Sequence, residues 1–132
     1  MVQVFPRNHG KRLGLPGRSS VEVVSGDAGA EQMTFRIVEI APTVAGAPPR
    51  GPHVHRGFEE CIYVQSGQGF TETASARHPV APGDTVVVPA GELHVTHNTG
   101  DTPLVLLCFF PVPGIAAATR EFPSWDAAGA QP

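Results

Sequence analysis

His53 and His55 are separated by a single residue. In an extended strand such a pair projects from one face, with Cα atoms about 7 Å apart, close enough for both imidazoles to hold one ion. The next carboxylates are Glu59 and Glu60. A straight strand continued from His55 would carry Glu60 to the opposite face. Gly57, in Arg56-Gly57-Phe58, supplies the bend that resets the alternation. Beyond it Glu60, Ile62 and Val64 share one face, and Cys61, Tyr63 and Gln65 the other. A carboxylate continued by isoleucine and valine is what the lining of a barrel interior requires, so Glu60 is the expected ligand. Glu59 reads as a solvated charge at the strand mouth. His94 follows a Pro89-x-Gly91 turn and shares a strand face with Thr96 and Asn98, which leaves His97 pointing outward.

Three neutral imidazoles and one carboxylate suit Fe, Mn, Ni, Co or Zn far better than Ca or Mg. Against a divalent ion, His53, His55, Glu60 and His94 leave a net charge of about +1. A six-coordinate ion keeps two positions open for water, O₂ or a bidentate ligand. Arg50 and Arg56 flank the His-x-His segment. They are of the type that binds a substrate carboxylate, and equally of the type that simply solvates a loop. Asn98 is expected to close a turn, while His9 and His78 belong to no constellation. Tyr63, Phe109 and Phe110 are expected in the core or at an interface, and Trp125 as a lid or dimer contact.

The elements that must position these side chains are short strands. Val21–Val24, Met33–Ile40, Glu60–Gln65, Thr85–Val88, Leu93–His97 and Leu104–Phe110 are each bounded by turn signals. In the second, Met33, Phe35 and Ile37 fall on one face and Thr34 and Arg36 on the other. The segment 41–52 is a loop, because its prolines do not serve a central strand. Ala81-Pro82-Gly83-Asp84 suits a type II turn, and Asn98-Thr99-Gly100-Asp101 is another. Residues 1–19, rich in glycine, proline and basic side chains, read as an arm packing on the body or on a partner. In the tail, 115–121 is compatible with a short helix that Pro123 ends. Many short strands without a long amphipathic helix predict an all-β sandwich or barrel.

The length of 132 residues accommodates one domain, 1–132, with one modest core. The 15 glycines and 14 prolines are scattered as punctuation and form no repeat. A net charge of −3 without a basic cluster gives no reason to expect nucleic acid or an anionic membrane as partner. No apolar run approaches a membrane span and no leader is legible, so the expected compartment is the cytoplasm. The 2 cysteines, Cys61 and Cys108, make no disulfide framework and are expected as reduced, partly buried thiols.

The spacing resembles the cupin family. Its second motif, G-x5-P-x-G-x2-H-x3-N, is met by Gly83, Pro89, Gly91, His94 and Asn98. Its first, G-x5-H-x-H-x3,4-E-x6-G, is met by His53, His55, Glu60 and Gly67, with Ala47 where the leading glycine would stand. Gln68–Pro82 separates the two motifs, as in the short hairpin of single-domain bacterial members. The resemblance implies a single double-stranded β-helix, or jelly-roll, barrel with N- and C-terminal extensions. It also implies one divalent transition metal on the four ligands, and a homodimer. The function expected is a metal-dependent enzyme on a small oxygenated molecule, of dioxygenase type or of isomerase, lyase or cyclase type. The alternative is a non-catalytic protein that binds or senses a sugar or acid. No catalytic residue beyond the ligands is legible, since the remaining inward set is Ile62, Val64, Thr96 and Asn98.

Overall fold

The computed structural model describes residues 1–15 and 17–129; Pro16 and 130–132, which end the expected C-terminal extension, lie outside the described residues. The strands are β1 Lys11–Leu15, β2 Arg18–Val24, β3 Thr34–Ile40, β4 His53–His55, β5 Glu60–Ser66 and β6 Gly69–Thr73. They continue as β7 Arg77–Val80, β8 Thr85–Val88, β9 His94–Asn98, β10 Leu104–Phe110 and β11 Thr119–Glu121. Helix among the described residues amounts to α1, Trp125–Gly129, and three short 3-10 turns. None is long and apolar enough to cross a membrane.

The strands form a six-stranded sheet, β1-β2-β3-β10-β5-β8, and a five-stranded sheet, β11-β4-β9-β6-β7. All pairings are antiparallel. The architecture is the all-β barrel that the pattern of short strands predicts, in the jelly-roll form that the family resemblance implies. The fifteen residues between the two motifs contain the β6–β7 hairpin. Period-2 alternation builds the interior. In β5, Glu60, Ile62 and Val64 are buried while Cys61, Tyr63 and Gln65 are exposed. In β10, Leu104, Leu106, Cys108 and Phe110 turn inward. These residues, with Val38, Ile40, Val88 and Ile115, form the principal apolar core.

Gly57 has φ +88°, a conformation open to glycine and strained for other residues. It makes the bend between β4 and β5 that returns Glu60 to the inner face. Gly51 serves a different need, because a side chain there would collide with the backbone carbonyl of Phe122. That close approach lets the C-terminal segment lie against the strand carrying the two histidines, and Phe122 N–H donates to the Pro52 carbonyl at 2.9 Å.

Three sequence expectations are corrected. The segment 1–19 is only in part an arm: Lys11–Leu15 is an edge strand whose Leu13 and Leu15 pair with Ser20 and Arg18. The apolar alternation Leu13, Leu15 is short and interrupted by glycine, so local pattern alone does not reveal it. The 115–121 segment is not a helix. It is a 3-10 turn, Ala116–Ala118, followed by β11, which pairs with β4. Burial of Ile115 in the core and pairing to the open edge of β4 outweigh the helix propensity of the alanine run. In β3 the inward face is that of Thr34, Val38 and Ile40, with Arg36 among them, whereas Met33 is exposed. Phe35 instead stacks on Phe109 on the outer face, ring centroids 4.8 Å apart.

Candidate metal centre

The two sheets contribute unequally to one cluster. The five-stranded sheet supplies His53 and His55 from β4 and His94 from β9, with His53 directly opposite His94 in the ladder. The six-stranded sheet supplies Glu60, the first residue of β5. One potential ligand atom from each of these four residues lies within 4.8 Å of all the others. His55, Glu60 and His94 are buried and His53 is half-buried. Glu59, at the mouth of β5, is exposed and outside the cluster.

Hydrogen bonds fix the state of two rings. The Nδ1–H of His94 donates to the carbonyl of Glu92 at 2.9 Å. The Nδ1 of His55 lies 2.7 Å from Thr119 Oγ1, whose own hydroxyl donates to the Ile115 carbonyl at 2.7 Å. With its proton committed there, the Thr119 oxygen accepts from His55 Nδ1–H. In its neutral form each ring therefore presents the lone pair of Nε2 to the cluster. These nitrogens lie 3.1 Å (His94) and 3.3 Å (His55) from the same Glu60 oxygen. His55 Nε2 and the buried Nδ1 of His53 have no hydrogen-bond partner. Convergent lone pairs facing a carboxylate oxygen repel one another unless a cation sits among them. The donor set thus fits a divalent transition metal.

The electrostatics favour the same protonation states. Burial, reinforced by the neighbouring His94, holds His53 well below the ordinary imidazole pKa, so it is neutral at physiological pH. Burial, together with the Glu60 charge, pushes the Cys108 thiol well up, so it stays protonated beside the cluster. Phe58 and Phe110 pack against the His55 ring, at centroid distances of 5.8 and 5.0 Å.

The cluster lines a cavity of about 280 Å³. Much of the remaining wall is hydrocarbon, including Leu13 and Leu15 from β1 and Ile115 from the C-terminal segment. Three guanidinium groups also line it. Arg18 pairs with Glu121 at 2.6 Å and Arg36 with Glu22 at 2.7 Å. Arg50 Nη1 donates to the Thr96 carbonyl at 3.0 Å. Burial, with the adjacent Arg18 charge, pushes Arg50 down to about 10, which still leaves it protonated at neutral pH.

The structure separates the two arginines that sequence leaves equivalent: Arg50 lines the cavity, and Arg56 is exposed and does not. Asn98 closes a turn as expected, donating to the Ile40 and Thr102 carbonyls and accepting from Gly100 N–H. His97 lies outside the four-residue cluster, 2.9 Å from Glu72 and packed on Phe70. Trp125 is half-buried at the start of α1 and does not line the cavity. Cys108 is buried as a free thiol, whereas Cys61 is exposed. Tyr63 and Phe109 are exposed and Phe110 is in the core. Sequence reasoning missed Arg18, Ser20, Arg36, Cys108, Thr119 and Glu121 as cavity residues. The one local signal for the last pair was the Thr119-x-Glu121 alternation.

The family model of the cupin domain matches residues 36–110, more than half of the chain, and the chain belongs to that family. A germin-like protein 5-1 of Oryza sativa subsp. japonica is 36% identical over 64 residues, which cover 45% of this chain and 29% of that protein. The oxalate-binding protein of Thermotoga maritima is 35% identical over 57 residues, covering 43% and 47% of the two chains. The aligned stretch thus spans less than half the length of these relatives. Among solved structures, an oxalate decarboxylase of Bacillus subtilis has a TM-score of 0.73 at 22% identity, over 88% of this chain and 31% of that one. The polyketide cyclase RemF of Streptomyces resistomycificus has a TM-score of 0.70 at 24% identity, over 96% and 90%. At these identities the structural likeness bears on the fold.

Proposed function

We propose that the chain is a single-domain metal-dependent enzyme acting on a small oxygenated molecule, with His53, His55, Glu60 and His94 holding one ion of Fe, Mn, Ni, Co or Zn. The observation that carries this reading is the set of convergent, proton-free donor atoms opening onto a cavity large enough for a small ligand. When bound, such an ion supplies open positions for a bidentate oxygen ligand, with O₂ in dioxygenase-type chemistry or as a Lewis acid in isomerase- or lyase-type chemistry. The chain's own part is distinct. Thr119 and the Glu92 carbonyl orient two of the rings, Phe58 and Phe110 pack against His55, and Arg50 adds positive charge to the same space.

A second reading, a non-catalytic binding or sensing protein, is favoured by the scarcity of free acid–base groups. The carboxylates among the cavity-lining residues are Glu60 and Glu121, and Glu121 is held by Arg18. This scarcity also favours dioxygenase-type over general acid–base chemistry. The similarity to an oxalate-binding protein is compatible with either reading.

Metal analysis of protein purified without a chelating tag, followed by O₂ uptake with Fe(II) and a panel of hydroxy-acids, diketones and catechols, tests the assignment. Turnover supports the enzyme; metal-dependent binding without turnover supports the sensor. Absence of both overturns the reading. The outer face of the six-stranded sheet exposes Met33, Val87, Tyr63 and Phe109, a surface that suits the proposed homodimer. Sedimentation at several protein concentrations checks it. A cytoplasmic location is part of the same proposal, to be checked by fractionation.

A further inference from the structure

The cavity over the four-residue cluster is bounded on one side by edges of two different sheets. The six-stranded sheet ends in the β1–β2 hairpin and the five-stranded sheet in β11, and both edges line the cavity. Exposure grades from floor to rim. His55, Glu60 and His94 are at most 5% exposed, whereas Leu13, Leu15 and Glu121 are half-buried. The tip of the hairpin reaches beyond the rungs of its own sheet. Arg18 pairs with Leu15, but the rungs that join β2 to β3 begin one residue later, at Ser19 and Glu39. A hold on the tip lies across the gap instead. Arg18 Nη2 donates to Glu121 Oε1 at 2.6 Å, with the Arg18 side chain 9% exposed and that of Glu121 30%.

A second positive charge makes that carboxylate decisive. Arg50 is anchored on the five-stranded sheet, where its guanidinium donates to the Thr96 carbonyl of β9. Its stem packs so close to Gly17 that a side chain at 17 would collide with it. Arg18 opposes the protonated form of Arg50 and Glu121 favours it. Glu121 thus interacts with two guanidinium groups that belong to opposite sides of the gap. Without its charge the attraction is lost, and two like charges are left facing each other in partly buried surroundings. We infer that the Arg18–Glu121 pair is the latch of a flap: the hairpin tip, with Leu13 and Leu15, closes the cavity while the pair is made and swings out to admit a ligand when it breaks. Access is gated in this way whether or not a metal is bound, so the latch stands apart from the metal-dependent reading.

Cys108 reports on the latch, because its thiol lines the cavity and is 4% exposed. With the other cysteine replaced, Cys61→Ser, it is the single thiol of the chain. In the metal-free protein its rate of reaction with methyl methanethiosulfonate, a small uncharged reagent, measures how often the cavity opens. Glu121→Gln and Arg18→Gln should each react roughly 10- to 100-fold faster, the shift in open population expected when a hydrogen bond between charged groups is lost. The double variant should react no faster than the faster single one, since both changes open the same latch. The two substitutions also separate opening from a local charge effect on the thiol. One deletes a negative charge and the other a positive one, so charge alone would move the two rates in opposite directions. Urea unfolding of each variant fixes the share of reaction that passes through the unfolded chain. The latch is overturned if either single variant reacts at the rate of the Cys61→Ser protein, if the two move in opposite directions, if the double variant multiplies the single effects, or if the rates only follow the globally unfolded fraction.

Discussion

Replacing Thr119 by valine keeps the shape of the side chain and deletes the oxygen that accepts from His55. In the native protein that oxygen lies 2.7 Å from His55 Nδ1, and its proton is committed to the Ile115 carbonyl at 2.7 Å. The variant leaves the Nδ1–H of a ring that is 5% exposed without an acceptor, and the Ile115 carbonyl with the Ala118 N–H as its remaining donor. The ring is then free to swing or to change tautomer, either of which takes Nε2 off the cluster. Partners of this kind are worth roughly 10- to 100-fold in metal affinity, or about 1.4–2.7 kcal/mol. Competition against a chromophoric chelator, with Co(II) or Zn(II), measures the change directly. Thr119→Ser restores the acceptor and should bind metal within about threefold of the native protein. Melting of the metal-free forms separates loss of affinity from loss of fold. A valine variant with native affinity, or a serine variant as weak as the valine one, refutes the tautomer lock.

Two further outcomes are expected. Glu60→Gln should strip the metal, while Glu59→Gln, altering an exposed residue, should keep full occupancy by elemental analysis; the reverse result would mean that the strand register is wrong. Stability of the metal-free protein should fall as the medium is acidified below about pH 6.5. The unfolded His53 takes up a proton near 6.5, whereas the folded ring, held well below that value, does not. The unfolded state therefore binds more protons, and this one group contributes a slope of up to about 1.4 kcal/mol per pH unit. Urea titrations of the metal-free form between pH 7.5 and 5 check it, with His53→Gln expected to flatten the dependence. A profile unchanged by that substitution would place the pH-sensitive proton elsewhere.

The sequence by itself determined the parts of the molecule that depend on neighbours along the chain. The alternation in β5 placed Glu60, Ile62 and Val64 together because side chains alternate across any strand, whatever lies opposite. Gly57 marked the bend for the same reason: its φ of +88° is a local backbone property. The gathering of His53, His55, Glu60 and His94 into one cluster able to hold a metal was legible through that parity and through two motifs with fixed spacings. What surrounds the ligands was not. Thr119 meets His55 only because β11 pairs with β4, and no spacing between positions 55 and 119 encodes that pairing. The alanine-rich stretch before it has the local preferences of a helix until the edge of β4 and the core pocket for Ile115 compete for it. Nor did hydrophobicity tell the inside of β3 from the outside. Arg36 faces inward because Glu22, paired with it on β2, neutralises it at 2.7 Å, while Phe35 finds Phe109 on the outer face. The Arg18–Glu121 pair is likewise a fact of three dimensions. A charge reads the same in sequence whatever its partner, and only the folded sheets decide which ones meet.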